Sequence, residues 1–231
     1  MKRKPSTEAT AAWIRLMRVP SRVLDCVEQD LKKAGFPPLA WYDALLEAGL
    51  PYDLVKVDLR AKTLENGDDY LKVNPKGQVP ALGLPSGDIV TEGPVIVQII
   101  ADQAADKQLA PARNSGERYK LLEWLNFITS ELHKNFGPLF SPVLADDAKA
   151  FFKDRVMGKF KYIDSQLAGR DYLMGSQFTV ADGYLFTILT WADRMKFDLS
   201  ALPNLVAYKN RVAARPKVQE ALAKEGLMQA R

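Results

Sequence analysis

The stretch Val73-Asn74-Pro75-Lys76-Gly77-Gln78-Val79-Pro80-Ala81-Leu82, followed by Thr91-Glu92-Gly93, constrains the fold more than any other part of the chain. Asn-Pro and Lys-Gly build a turn that delivers Val79-Pro80 to the start of a short apolar strand, residues 80–84. A second strand, 88–91, forms a hairpin with it and runs into an acidic residue and a glycine that open a helix over 92–103. An X-Pro bond at such a turn is a candidate cis peptide. The expected purpose is to leave the Val79 backbone N–H and C=O unpaired and facing a cleft, where a peptide-like ligand docks as an added strand. The N-terminus of the following helix offers free N–H groups and a positive dipole end to a carboxylate. A site with these two halves suits a small peptide with a charged end.

The remaining pattern sets the organisation. Residues 1–10 are polar; Trp13, Leu16 and Met17, then Val23, Val27 and Leu31, follow helical spacing, with Pro20 between the two runs. Leu39 to Ala48 reads as a short helix closed by Gly49. Tyr52 to Leu59 alternates and reads as a strand, and residues 60–72 as a loop with a helical turn. Ala110-Pro111-Ala112-Arg113 is the linker, after which every periodic segment is helical. Asn114 with Glu117 has capping-box spacing and opens a helix to Phe136; Thr179 with Asp182 repeats that spacing. Further helices are expected over 147–168, 203–214 and 216–224.

The 231 residues suffice for one or two domains, and 47% apolar with 26% charged residues is ordinary globular composition. A single cysteine excludes an intrachain disulfide, so a reducing cytoplasmic setting is the default. No apolar run reaches membrane-spanning length, and no membrane partner is expected. The net charge of +4 has one origin, since residues 1–35 carry eight basic and four acidic side chains. The interleaved acids favour a solvated helix face over a nucleic-acid surface.

At these residues the chain resembles the glutathione S-transferases, most closely the bacterial beta class. The similarity runs over about 46–227, from Leu46-Glu47-Ala48-Gly49-Leu50-Pro51-Tyr52 through Glu123-Trp124-Leu125-Asn126-Phe127-Ile128 and Glu131-Leu132-His133-Lys134 to Phe178-Thr179-Val180-Ala181-Asp182. The resemblance implies an α+β fold. A thioredoxin-like domain over 39–109, its first strand apparently replaced by helices, is followed by an all-helical domain over 112–231. It also implies glutathione as co-substrate, a hydrophobic electrophile as acceptor, a homodimer and no metal. Residues 10–46 depart from the family and resemble the first helices of MarR-type transcriptional regulators, so 1–38 reads as a helical leader. The family's catalytic cysteine place falls on Pro37.

The resemblance assigns glutathione to Lys62, Val79, Pro80, Glu92, Gly93, Asn126, Ser130, His133 and Lys134, with His133 as the catalytic residue. From spacing alone, Asn126, Ser130 and His133 share one helix face, which either walls the cleft or meets water. Lys62 alone reads as a surface lysine, and Glu92 as a complement to a helix dipole. Cys26 lacks the electropositive setting of a reactive thiol. Ser21 and Tyr42 are the nearest hydroxyl substitutes at the sulfur, and a variant reading makes Trp13 to Val19 the missing strand. Phe136, Leu139, Phe140 and Trp191 are the apolar candidates for the acceptor pocket. Three functions remain open: a transferase of reduced activity, a non-catalytic glutathione-binding homologue, and a thiol-sensing regulator dimerised by its N-terminal helices.

Overall fold

The structure, a computed structural model, describes residues 39–224. The regulator-like segment up to residue 38, with Ser21, Cys26 and Pro37, lies outside the described residues. So does the Trp13 to Val19 candidate strand.

Helix α1 (Leu39–Ala48) stops at Gly49, whose φ of +63° and bond to the Leu46 carbonyl (3.2 Å) form the left-handed stop that the sequence requires. The strand expected over 52–59 is not formed as such. Only Val57–Asp58 (β1) is extended and paired, antiparallel to Thr63–Leu64 (β2), inside the stretch expected to be a loop. The reason is backbone pairing: an alternating run becomes a strand only where a neighbour supplies donors and acceptors. The described residues give β1 no partner besides β2.

The second hairpin forms as expected and slightly shorter. Ala81–Gly83 (β3) pairs with Ile89–Thr91 (β4) in the register Ala81 to Thr91, and the Val79–Pro80 peptide is cis. The two hairpins are not joined to each other. Helix α2 (Gly93–Gln103) follows, with Pro94 in its first turn, where a missing N–H matters little.

Among the described residues beyond 112 there is no named strand. Helix α3 (Gly116–Phe127) starts later than expected. Its cap is Ser115, in extended conformation and accepting from the Arg118 N–H (3.2 Å), instead of Asn114. At Ile128 the winding opens into a π-helical stretch, Ile128–His133, then closes through Lys134–Phe136 into a 3₁₀ turn, Gly137–Phe140. Polar side chains bond carbonyls four residues back throughout: Thr129 to Leu125 (2.8 Å), Ser130 to Asn126 (3.0 Å) and Asn135 to Glu131 (2.8 Å). Such back-bonds satisfy acceptors that a wide turn leaves without their usual N–H partner.

Helices α4 (Asp146–Gln166), α5 (Val180–Arg194), α6 (Pro203–Ala213) and α7 (Pro216–Lys224) complete the described chain. The capping box expected at Thr179 and Asp182 is present. α5 is the hub, with twelve of its fifteen residues buried, and it packs against α1, α3 and α6. α1 and α2 are held across to the helical part by Arg215, which donates to both Glu47 carboxylate oxygens (2.8 Å each), and by Arg118. Nearly buried, Arg118 bonds Asp102 (2.9 and 3.1 Å), Gln98 and the Pro111 carbonyl. No described helix is long and apolar enough to cross a membrane.

Candidate active site

The turn that precedes β3 is braced from inside. Asn74 is buried; its amide donates to the Gln78 carbonyl (2.6 Å) and its oxygen accepts from the Lys76 N–H (3.1 Å). Tyr70 donates its hydroxyl to the same Gln78 carbonyl (2.7 Å). Lys62, in the left-handed region at φ +58°, reaches across to the Gly77 carbonyl (2.7 Å). These bonds fix the loop on both sides of Val79. The β3–β4 ladder begins only at Ala81, and no loop hydrogen bond among the described residues uses the Val79 N–H or carbonyl. The backbone edge expected at Val79 is therefore available to a ligand.

Glu92 stands opposite, at the N-terminus of α2, with φ +72°. A non-glycine residue held there stores on the order of 1–3 kcal/mol, and such residues cluster at ligand clamps. Its carbonyl accepts from the Val95 and Ile96 N–H groups (3.0 and 3.1 Å), while its carboxylate meets Lys76 Nζ (2.5 Å), which also donates to Thr91 Oγ1 (2.8 Å). Gly93 is backed by the indole of Trp41: a Cβ added at Gly93 would lie 3.2 Å from that ring. The glycine thus lets α1 and the start of α2 approach closely.

The far wall comes from the helical part. His133 is half-buried; its Nδ1 lies 2.7 Å from the Tyr184 hydroxyl, and Trp191 meets its ring edge-on at 4.8 Å between centroids. Burial, with a smaller contribution from the Lys134 charge, lowers its pKa to about 4, so the imidazole is neutral at pH 7. Burial likewise pushes the Tyr184 phenol up to about 12, and it keeps its proton.

These pieces enclose one cleft of about 550 Å³. Of the residues expected at the site, Lys62, Val79, Pro80, Glu92, Gly93, His133 and Lys134 all line it. Asn126 and Ser130 do not: both are exposed, and the Ser130 hydroxyl is turned back onto the Asn126 carbonyl. Asn126, Ser130 and His133 would share a face only under regular 3.6-residue winding. The π-helical stretch turns the helix so that Thr129, His133, Lys134 and Gly137 face the cleft instead.

Tyr42 is also excluded, since it is buried with its ring edge-on to Tyr52 and is not part of the cleft lining. Its neighbour Trp41 takes the cleft position. Of the apolar acceptor candidates only Trp191 lines the cleft; Phe136 and Leu139 are core residues and Phe140 packs against the core. Sequence reasoning missed Trp41, Lys76, Tyr184 and the brace residues Asn74 and Tyr70. Tyr184 and Trp191 stand seven residues apart, two turns of one helix, and that spacing was the available signal. Among the described residues no group of three His, Cys, Asp or Glu side chains is placed to hold a metal ion.

Residues 44–103 match the family model described as glutathione S-transferase, N-terminal domain, and residues 129–216 that described as glutathione S-transferase, C-terminal domain. The glutathione S-transferase GstA of Escherichia coli O157:H7 is 47% identical over 195 residues, which cover 84% of this chain and 97% of the relative. Among solved structures, a ternary complex of BphK, a bacterial GST, superposes with a TM-score of 0.79 at 50% identity, covering 82% of this chain and 94% of that one. A bacterial beta class glutathione S-transferase from Sphingomonas chungbukensis gives a TM-score of 0.77 at 47% identity over the same shares. The fold is therefore the expected one, a thioredoxin-like N-terminal domain with few strands followed by a helical C-terminal domain. The chain belongs to the glutathione S-transferase family and is like its bacterial beta class.

Proposed function

We propose that the chain is a glutathione transferase that binds glutathione in this cleft and joins its thiol to a hydrophobic electrophile. The observation that carries the reading is the convergence of three unlike elements on one cleft: the Val79 backbone edge, the Glu92–Gly93 helix start, and the His133–Lys134 wall. A relative solved with glutathione bound, 47% identical to this chain, supports the ligand. The tripeptide pairs with Val79 as an added strand and sets its γ-glutamyl end at Glu92 and Gly93. Its glycyl carboxylate lies toward Lys62 or Lys134, and its sulfur toward His133.

In the reaction the glutathione thiol gives its proton to solvent, and the thiolate attacks the electrophile. A carbon–sulfur bond forms while the carbon's leaving group departs with its electron pair. His133, neutral at pH 7, serves as a hydrogen-bond donor to the thiolate and not as a cationic partner. Since the family's cysteine place is Pro37, the donor set at the sulfur is reduced, and activity below that of intact relatives is expected. Loss of one preorganised donor costs roughly 2.7–4 kcal/mol of barrier where such donors have been removed.

The test is calorimetric binding of glutathione to the wild type and to Glu92→Ala. Removing the carboxylate leaves the ligand's ammonium unpaired. We expect a loss of about 1–3 kcal/mol, roughly a 5- to 150-fold rise in Kd. Unchanged affinity would remove the site from Glu92. A conjugation assay with an aromatic electrophile then separates the transferase from a homologue that only binds.

The division into a leader over 1–38, a glutathione-binding domain over 39–109 and a helical domain over 112–231 belongs to this proposal, as do a cytoplasmic location and a homodimer. Exposed apolar side chains on α2 and α3, Val95 and Leu122, support pairing through the transferase part. A monomeric mass at micromolar concentration would contradict it. The regulator-like reading of residues 10–46 keeps less support. Its last part is α1, which packs against α2, α5 and α7 as an integral helix of the transferase. Retention on DNA at varied salt tests what remains of it.

A further inference from the structure

The Tyr184 hydroxyl, 2.7 Å from His133 Nδ1, has a more specific role than lining the cleft. A neutral imidazole carries one proton, on either Nδ1 or Nε2, and the partner at one nitrogen decides which. Two arrangements fit the 2.7 Å contact. In one, Nδ1–H donates to the phenol oxygen, and the phenol proton must then find an acceptor elsewhere. Its only other hydrogen-bond partner among the described residues is Thr129 Oγ1 at 3.5 Å, beyond a good O–H···O distance. Thr129 spends its own proton on the Leu125 carbonyl at 2.8 Å. In the other arrangement the phenol donates to Nδ1, both groups are satisfied by one short bond, and the proton sits on Nε2. No described residue hydrogen-bonds Nε2, while the ring as a whole lines the cleft. Trp191, edge-on to the imidazole at 89°, hinders rotation of the ring out of this alignment.

We propose that Tyr184 is a positioning residue that donates to His133 Nδ1, fixes the Nε2–H tautomer, and so presents one N–H to the cleft as the sulfur's donor. The use of that N–H rests on the transferase reading; the tautomer does not, and can be measured without any conjugation. A histidine held in one tautomer is one means of stabilising a thiolate from the helical wall.

His133 is the only histidine in the chain, so ¹⁵N-histidine labelling of the full chain gives two ring-nitrogen signals without overlap. At pH 7 the wild type is expected to show a protonated, pyrrole-type Nε2 and an unprotonated, hydrogen-bonded Nδ1. Tyr184→Phe should shift Nδ1 further downfield as its bond is lost. In conjugation, kcat of that variant should fall roughly 10- to 100-fold, the range seen for partners that orient metal-bound histidines, with KM for glutathione within about twofold. A wild-type spectrum with the proton on Nδ1 overturns the proposal, whether or not the variant folds. So does an unchanged Nδ1 signal in Tyr184→Phe. A correct tautomer in a protein that conjugates nothing would instead sustain the proposal and sink the transferase reading.

Discussion

The two parts of the molecule solve the problem of backbone polarity in different ways. In the helical part after residue 112, each segment closes its own hydrogen bonds, so burial can go to completion. Residues Leu121, Ile128, Leu132, Phe160, Ile163 and Leu185 are all fully enclosed. In the part before it, the strands are two or three residues long, and β2, β3 and β4 contain no fully buried residue. Strands depend on neighbours for their donors and acceptors, and the described neighbours are few. The contrast extends to single polar atoms. Buried Asp182, in α5, accepts from the Leu173 N–H (2.9 Å), the Thr179 N–H and hydroxyl (2.8 and 2.9 Å) and the Tyr208 hydroxyl (3.0 Å). In the first part, Asp43 Oδ1 and Lys56 Nζ are buried with no hydrogen-bond partner among the described residues. The lesson is that the helical part completes its burial, while the first part leaves a backbone edge at Val79 outside the strand ladder.

The sharpest way to break that comparison is Asp182→Ala. It leaves two backbone N–H groups and a threonine hydroxyl without their acceptor, leaves the buried Tyr208 hydroxyl only the Asp182 carbonyl (3.2 Å), and removes the capping box of the central helix. We expect a loss of roughly 4 kcal/mol or more, large for one substitution, since each buried orphan costs about 1–3 kcal/mol. Urea unfolding should show a much lower midpoint, and a loss below about 1 kcal/mol would contradict the assignment of α5 as the hub.

Asp43→Asn should act in the opposite direction. Asp43 is 3% exposed, and its carboxyl is raised to about 8 by burial first, then by the Glu47 charge and Asp182, with Arg215 opposing. The room for this carboxyl is made by Gly183, where an added Cβ would fall 2.5 Å from Asp43 Oδ2. Between about pH 4 and 8 the unfolded chain ionises this group while the folded chain keeps the proton. The folded state therefore binds more protons, and stability falls as pH rises through that window. Asparagine abolishes the penalty. The variant should gain on the wild type by an amount growing from near zero at pH 4 to the order of a few kcal/mol at pH 8. Thermal unfolding across that range is the measurement, and a pH-independent difference would show that burial of the charge is not the cause.

How much of this was legible follows the same division. Helix limits in the second part were readable because caps and breakers are local: Thr179 with Asp182, Pro203 and Pro216 mark their own positions. The Val79–Pro80 turn and the start of α2 at Glu92-Gly93 were readable for the same reason. The strand over 52–59 was not, because alternation says which face a strand would bury and nothing about whether a partner exists. The Asn126–Ser130–His133 stripe failed for a different reason. Spacing arguments presuppose regular winding, and the i−4 back-bonds of Thr129, Ser130 and Asn135 accompany a wide turn. Tyr184 lies fifty-one residues from His133 in sequence, so only the packing of α5 on the π-helical stretch could bring it to the imidazole.

The smallest effect is expected at the recognition edge itself. Lys76 bridges the Val79 loop to the start of α2 through Thr91 and the Glu92 carboxylate. Both charged side chains are more than half exposed, at 51% and 59%. In that setting water competes for both charges, two flexible side chains must be ordered to make the contact, and salt screens what is left, so exposed pairs contribute about 0–1 kcal/mol. Lys76→Gln should accordingly shift unfolding free energy by less than about 1 kcal/mol in low salt. The difference should vanish near 1 M salt, where the screening length is about 3 Å. If the first part of the molecule drew its stability from this edge, the same change would instead cost more than about 2 kcal/mol and persist at high salt, as loss of a buried partner does. Unfolding curves for wild type and variant at the two salt concentrations decide between a recognition edge that is stable on its own account and one held up by the helices behind it.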